Sequence, residues 1–254
     1  MSINLKNIQS GYDGFRLKDV SLQIARDSLT VLIGPNGCGK STLLKTISRE
    51  LHPRGGRVLI DSKDVTQQRS KMVARQISVL PQHPVVPPGI TVEQLVGYGR
   101  APYQNLLGLR SREDRLRVEA ALEIVDLSPL KDKLVSALSG GQRQRAFVAM
   151  CIAQDTPYVL FDEPTSFLDI RYQYEVLDLM ATLHEQGKTV VAVLHDIAQA
   201  ARYATDLVVM KDARVCAVGK PTDIITEDML SAVYGIDARV YADPVTGTPA
   251  VSAL

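Results

Sequence analysis

LTVLIGPNGCGKSTLLKTI, residues 29–47, is the stretch that decides the fold. LTVLI has the apolar, β-branched character of a buried strand, and LLKTI that of a helix. Between them, Gly34 to Thr42 matches G-x-x-x-x-G-K-[ST] in full, a pattern that has meaning only in such a strand–loop–helix setting. Gly34, Gly37 and Gly39 let successive backbone N–H groups turn inward onto the α- and β-phosphates of a nucleotide, in a loop completed by Pro35, Asn36 and Cys38. Lys40 then meets the β- and γ-phosphates, Ser41 holds Mg²⁺ and Thr42 ends the motif. The plainer alternative is a glycine-rich turn ahead of an ordinary helix. Cys38, close to the helix N-terminus, is expected to have its thiol pKa lowered by the dipole and to react readily.

Outward from this stretch, INLKNI, VSLQIA and GRVLID are short apolar runs split by Gly, Asp and Asn. They predict a β-rich first third with several antiparallel strands. SREDRLRVEAALEIVDL, residues 111–127, predicts a helix opened by a Ser111-x-x-Asp114 cap, with Leu116, Ala120, Ile124 and Leu127 on one face. YVLF and TVVAVL are apolar on both faces, as parallel strands covered by helices must be. LVVMKDARVCAVG reads as a hairpin around Lys211 to Ala213, followed by a short helix and a tail containing proline. The sum is an α/β fold: a phosphate-loop core of mostly parallel sheet covered by helices, an antiparallel β subdomain and a helical subdomain. One domain over residues 1–240 is expected, with the helical subdomain at about 83–155 and a short tail at 241–254.

YVLFDEP, residues 158–164, ends in two adjacent acids at the carboxyl edge of its strand, where open α/β sheets bind ligands. Asp162 suits a direct or outer partner of Mg²⁺, and Glu163 suits the polarisation of an attacking water. Taken alone, the pair is equally an exposed acidic turn. His195, ending TVVAVL, could sense a γ-phosphate; Gln82, after ISVL, could reach Mg²⁺ or the water; Tyr12 could stack on a purine. Each of these three also has an ordinary structural reading. In LSGGQ, residues 138–142, Ser139 and Gln142 make a capping-box pattern for a helix through QRAFVAMCIAQ, which places Gly140 and Gly141 in its first turn. A glycine costs about 1 kcal/mol against alanine in a helix, so two in a row point beyond a structural cap. Bare backbone at a positive helix end suits an anion, most often a phosphate.

Composition narrows the classes. Lys plus Arg number 29 against 28 Asp plus Glu, so a net charge of +1 supplies no general pull toward nucleic acid. The three cysteines, Cys38, Cys151 and Cys216, are scattered and support neither a disulfide framework nor a zinc site. No aliphatic run is long enough to span a bilayer, and a soluble, unexported protein is expected.

Taken in order, Tyr12, GPNGCGKST, LPQ at Gln82, LSGGQ, FDEP, SFLD and LHD at His195 resemble the motif series of the ATP-binding subunits of ABC transporters, over nearly the whole chain. The resemblance implies ATP and Mg²⁺ as ligands, with Tyr12 stacked on adenine and Gly34 to Thr42 on the phosphates. It implies Ser41, Gln82 and Asp162 at the metal, Glu163 as catalytic base and His195 as switch. Ser139, Gly140, Gly141 and Gln142 would bind the γ-phosphate of ATP held by a second copy, in a head-to-tail dimer with two equivalent sites. Phe167 in SFLD departs from the small or polar residue familiar there, while Asp169 is retained.

A narrower likeness lies in QHPVVPPGITVEQLVGYGRAPY, GKTVVAVLHDIAQAARYATDLVVM and EDMLSAVYGI. These resemble the ATPases of bacterial importers for ferric siderophores and ferric citrate, with haem and cobalamin importers as near neighbours. That likeness implies an integral membrane permease, indirectly a substrate-binding protein, and a peripheral place on the cytoplasmic face of the inner membrane. The alternative is a soluble ABC ATPase without a permease, such as one serving iron–sulfur cluster assembly. A nucleic-acid- or ribosome-acting relative would want tandem units or a long coiled-coil insert and a basic surface, which the chain lacks.

Overall fold

Strands whose side chains alternate between core and solvent open the chain. In the computed structural model, which describes residues 2–104 and 109–254, β1 (Ser2–Gln9) and β2 (Val20–Ala25) pair antiparallel. β3 (Leu29–Ile33) is buried at every residue and leads through the glycine loop into α1 (Lys40–Ile47). β4 (Gly55–Ile60) returns to the other edge of β1, also antiparallel, so Leu5 lies opposite both Leu22 and Val58.

The chain divides into two units, residues 1–68 with 183–254, and residues 69–182. In the second unit, β5 (Ile77–Leu80) is followed by α2 (Val92–Tyr98), α3 (Arg112–Ile124) and α4 (Gly140–Gln154). β6 (Tyr158–Asp162), buried throughout, then runs parallel to β5 before α5 (Ile170–Glu185). Arg100 ties the helices together. Its guanidinium bonds Asp114 at 2.9 Å and the carbonyl of Ala153 at 2.8 Å, and it lies over the ring of Tyr103.

The cap at Ser111 and Asp114 forms as expected, but the buried face of α3 differs from the expected one. Asp114, Val118, Ala121, Leu122 and Val125 point inward, while Leu116, Ala120 and Ile124 are exposed; of the expected face Leu127, past the helix end, is buried. The helix carries two apolar stripes of similar period, and the Arg100–Asp114 pair fixes which of them turns to the core.

Back in the first unit, β7 (Thr189–Val193) and β8 (Asp206–Lys211) flank β3, both parallel to it, with α6 (Ile197–Tyr203) between them in sequence. β9 (Arg214–Gly219) pairs antiparallel with β8 around the expected turn, where Asp212 and Ala213 adopt φ values of 48° and 65°. After α7 (Glu227–Tyr234), β10 (Ala238–Ala242) and β11 (Pro249–Ala253) pair as a hairpin. Asp243 holds its turn by accepting the N–H groups of Val245 and Thr246.

Candidate active site

In the first unit, the phosphate loop is built where β3 ends. At Gly34 any Cβ would stand 2.1 Å from the carbonyl oxygen of Met210 on β8, so only glycine fits. Gly39, at φ 108°, caps α1 in the left-handed region, and a Cβ there would meet Leu17 at 2.7 Å. No side chain caps α1, whereas α2, α3 and α4 each carry a complete capping box. No capping side chain therefore occupies the start of α1, where the helix dipole favours an anion.

Lys40 is only 5 % exposed, and its ammonium donates to the carbonyls of Gly34 (2.8 Å) and Pro35 (3.0 Å). The cation is therefore held at the loop by the loop itself. Cys38 Sγ lies 3.9 Å from Lys40 Nζ. Contrary to the expectation from the helix dipole, burial pushes the Cys38 thiol up, and the opposing effects of Lys40 and the loop N–H groups do not reverse it. A cavity of about 710 Å³ borders Pro35 to Cys38 and is lined also by Phe15, Lys18, Lys211 and Tyr234, a size within the range of small-molecule sites.

Tyr12 stands half-exposed on a short ladder in which Gly11 and Tyr12 pair with Arg16 and Phe15. His195 is exposed just past the end of β7, next to Asp196, which caps α6 by accepting the N–H groups of Ala198 and Gln199.

In the second unit, candidate residues gather where β6 ends. β6 ends at Asp162, which is 1 % exposed, and the chain then turns at Glu163 with φ 52°. A left-handed glutamate is uncommon and marks a site where surrounding structure imposes the conformation. β5 and β6 run parallel with Leu80 beside Phe161, so their carboxyl ends carry Gln82 and Glu163 to the same edge. Gln82 Nε2 donates to Glu163 Oε2 at 2.6 Å, and Ser166 Oγ donates to the same oxygen at 3.1 Å. Phe167 is 91 % exposed at φ 62°, with the ring of His83 at 6.2 Å.

Ser139 and Gln142 form both bonds of the expected box at the start of α4. The two glycines that follow differ: Gly140 is exposed with open space where a Cβ would be, while Gly141 is buried beneath the ring of Tyr172. Gln144 Nε2 donates to the carbonyl of Pro164 at 3.0 Å. Sequence reasoning passed over Tyr172, Gln144 and Ser166. Only Ser166, within a turn of Glu163, left a local signal.

A family model described as ABC transporter matches residues 17–166. The ferric enterobactin transport ATP-binding protein of Escherichia coli (strain K12) is 42% identical over 243 residues, covering 95% of this chain and 90% of that protein. The iron(3+)-hydroxamate import ATP-binding protein of Bacillus subtilis (strain 168) is 40% identical over 250 residues, covering 98% and 93%. Among solved structures, a dimeric ATP-binding cassette bound to ADP and Pi in a post-hydrolysis state superposes with a TM-score of 0.75 at 31% identity, covering 86% of this chain and 98% of that one. The chain belongs to the ABC transporter family, as one of its ATP-binding, ATP-hydrolysing proteins.

Proposed function

We propose that ATP hydrolysis by this chain powers uptake of ferric chelates of the siderophore type through a separate membrane permease. Full-length similarity to ATP-binding proteins named for ferric enterobactin and iron(3+)-hydroxamate carries the cargo class. The hydrogen bond of 2.6 Å from Gln82 to Glu163 carries the chemistry.

In this reading the uncapped start of α1 and Lys40 hold the phosphates, Tyr12 stacks on adenine and His195 faces the γ-phosphate. Glu163 takes the proton of the attacking water, and the Gln82 amide fixes the carboxylate that does so. Ser41, Gln82 and Asp162 offer a hydroxyl, a carboxamide and a carboxylate, an all-oxygen set that fits Mg²⁺. Bound there, Mg²⁺ would supply positive charge against the nucleotide's phosphates. Ser139 to Gln142 serve the nucleotide of a second copy packed head to tail. No described helix is long and apolar enough to cross a membrane, and we assign the chain a peripheral position against its permease on the cytoplasmic face, with a substrate-binding protein delivering cargo.

The test is reconstitution in proteoliposomes with a co-expressed candidate permease of the ferric-chelate type. ATP-dependent uptake of a ⁵⁵Fe-labelled siderophore is expected, lost with Glu163→Gln. Sustained ATP hydrolysis by a chain that binds no co-expressed permease would instead favour the soluble ABC ATPase.

A further inference from the structure

We propose that the ring of Tyr172 positions the LSGGQ turn, so that Gly141 is small to admit its own chain's tyrosine while Gly140 is small to admit the second copy's nucleotide. The inference rests on the head-to-tail reading above and assigns a positioning residue within it.

The two glycines occupy consecutive places in the first turn of α4, yet their surroundings are opposite. A Cβ built on Gly140 meets nothing within 4 Å. A Cβ built on Gly141 meets Cδ1 and Cγ of Tyr172 at 2.7 Å and Cδ2 at 3.0 Å, closer than real Cβ contacts come. The ring therefore lies directly against the backbone of the turn. Gly141 is buried and Gly140 exposed, which assigns the ligand-facing role to Gly140 and the packing role to Gly141.

Tyr172 stands in the first turn of α5, shortly after the turn that carries Glu163. Two further contacts follow along α4: Gln144 with the carbonyl of Pro164, and Arg145 Nε with Glu175 Oε2 at 3.8 Å. Positions 141, 144 and 145 share one face of a helix. That face is thus laid against the Glu163 turn and α5, but Gln144 and Arg145 hold the second turn of α4. Only Tyr172 among these three contacts bears on the first. The contact is van der Waals packing, directional only through shape. Sites that recognise a transferring phosphate tolerate roughly half an ångström of misplacement, and about 1 Å can cost on the order of a hundredfold. Loss of the ring should therefore weaken closure on ATP while leaving nucleotide binding to the phosphate loop alone.

The test is a size exchange, made in a Glu163→Gln parent so that ATP is held. Two readouts are taken: the Kd of a fluorescent ATP analogue for the monomer, and the ATP concentration giving half-maximal dimer by light scattering. Gly141→Ala, which drives a methyl into the ring, should raise the second by about tenfold or more and leave the first within about twofold. Adding Tyr172→Ala removes the clash and should bring it back down to the level of Tyr172→Ala alone, well below that of Gly141→Ala. Tyr172→Phe, keeping the ring, should match the parent. Tyr172→Val replaces Tyr172→Ala if melting shows that the latter does not fold. If the double variant is as impaired as Gly141→Ala alone, the glycine is required by the phosphate itself and the proposal is overturned. A parent that forms no ATP-dependent dimer overturns the head-to-tail reading, and this inference with it.

Discussion

Glu163→Gln keeps the length and shape of the side chain and removes the proton acceptor, so its effects on turnover and on stability are separable in size. The carboxylate accepts from Gln82 at 2.6 Å and Ser166 at 3.1 Å. A hydrogen bond to a charged group contributes roughly 1.5–3 kcal/mol and a neutral one about 1, so neutralising this acceptor costs about 1 kcal/mol per bond. The left-handed backbone at φ 52° is borne equally by either residue. A total near 2 kcal/mol corresponds to a fall in Tm of roughly 4–8 °C for a chain of this size. Removing a positioned base costs on the order of 10²–10⁴ in rate, or about 3–5 kcal/mol at 1.36 kcal/mol per decade. Turnover should therefore collapse while the fold survives. Phosphate release under saturating MgATP, measured well below the melting midpoint and paired with calorimetry, checks this. Ser166→Ala, which removes one of the two bonds, should lower turnover less than tenfold. Turnover of Glu163→Gln within tenfold of the parent chain would refute the assignment of Glu163 as base.

Three further outcomes are expected. Because burial holds the Cys38 thiol above its ordinary range, maleimide should react slowly near pH 7 and faster as pH rises beyond 9, with saturating MgATP protecting; equal labelling rates with and without nucleotide would contradict the loop assignment. The same raised pKa gives stability that is full below the ordinary thiol pKa and lost as pH climbs from there through the raised one, a loss that Cys38→Ala should remove from an alkaline melting series. Burial pushes the Asp114 carboxyl up, but the N–H and O–H of Ser111 and the Arg100 guanidinium outweigh it and hold the pKa below the usual value. Its stability contribution is thus present above the ordinary carboxylate range and lost as pH falls through the lowered pKa. Asp114→Asn should flatten that acid limb in circular dichroism, and Arg100→Met should destabilise by about 3–5 kcal/mol by leaving a buried charge unpaired. Finally, a Lys40→Ala chain mixed with a Gly140→Asp chain should regain vanadate trapping at one composite site, although each is inactive alone. Recovered mixed dimers that trap no nucleotide would refute the head-to-tail reading.

What the sequence discloses follows from how far each interaction reaches. The glycine loop and the boxes at Ser111 and Ser139 span only a few residues, and all are found where their spacing puts them. Gln82 and Glu163 stand 81 residues apart. Each strand end was legible, but their meeting depends on β5 pairing with β6, which no local pattern specifies. The face of α3 was misjudged because Leu116 and Ile124 share a stripe as regular as the one through Val118, Leu122 and Val125. A buried Asp114 partnered by Arg100, in the turn that follows α2, decides between them. Cys38 was misjudged in sign for a similar reason: the helix dipole is a local effect visible in sequence, whereas the burial that outweighs it is tertiary.

At a helix start an anion and a side-chain cap draw on the same backbone groups, and α1 and α4 differ in which they leave room for. A complete box uses the N3 amide and braces the N-cap residue, which fixes a turn but consumes a donor. α1 forgoes that bond: its N-cap is a left-handed glycine with no side-chain partner, at a place where Leu17 leaves no room for a Cβ. α4 keeps its box through Ser139 and Gln142 and gains access instead by an exposed glycine at the first helical position. The consequence is mechanical. An uncapped turn is shaped by its ligand, so α1 should gain order on binding ATP. A capped turn is already set before a ligand arrives, so under the head-to-tail reading proposed above α4 meets a phosphate by being carried to it intact. Rigid delivery of that kind requires the turn to be fixed to the rest of its own chain, and the contacts from Tyr172, Gln144 and Arg145 supply the fixation.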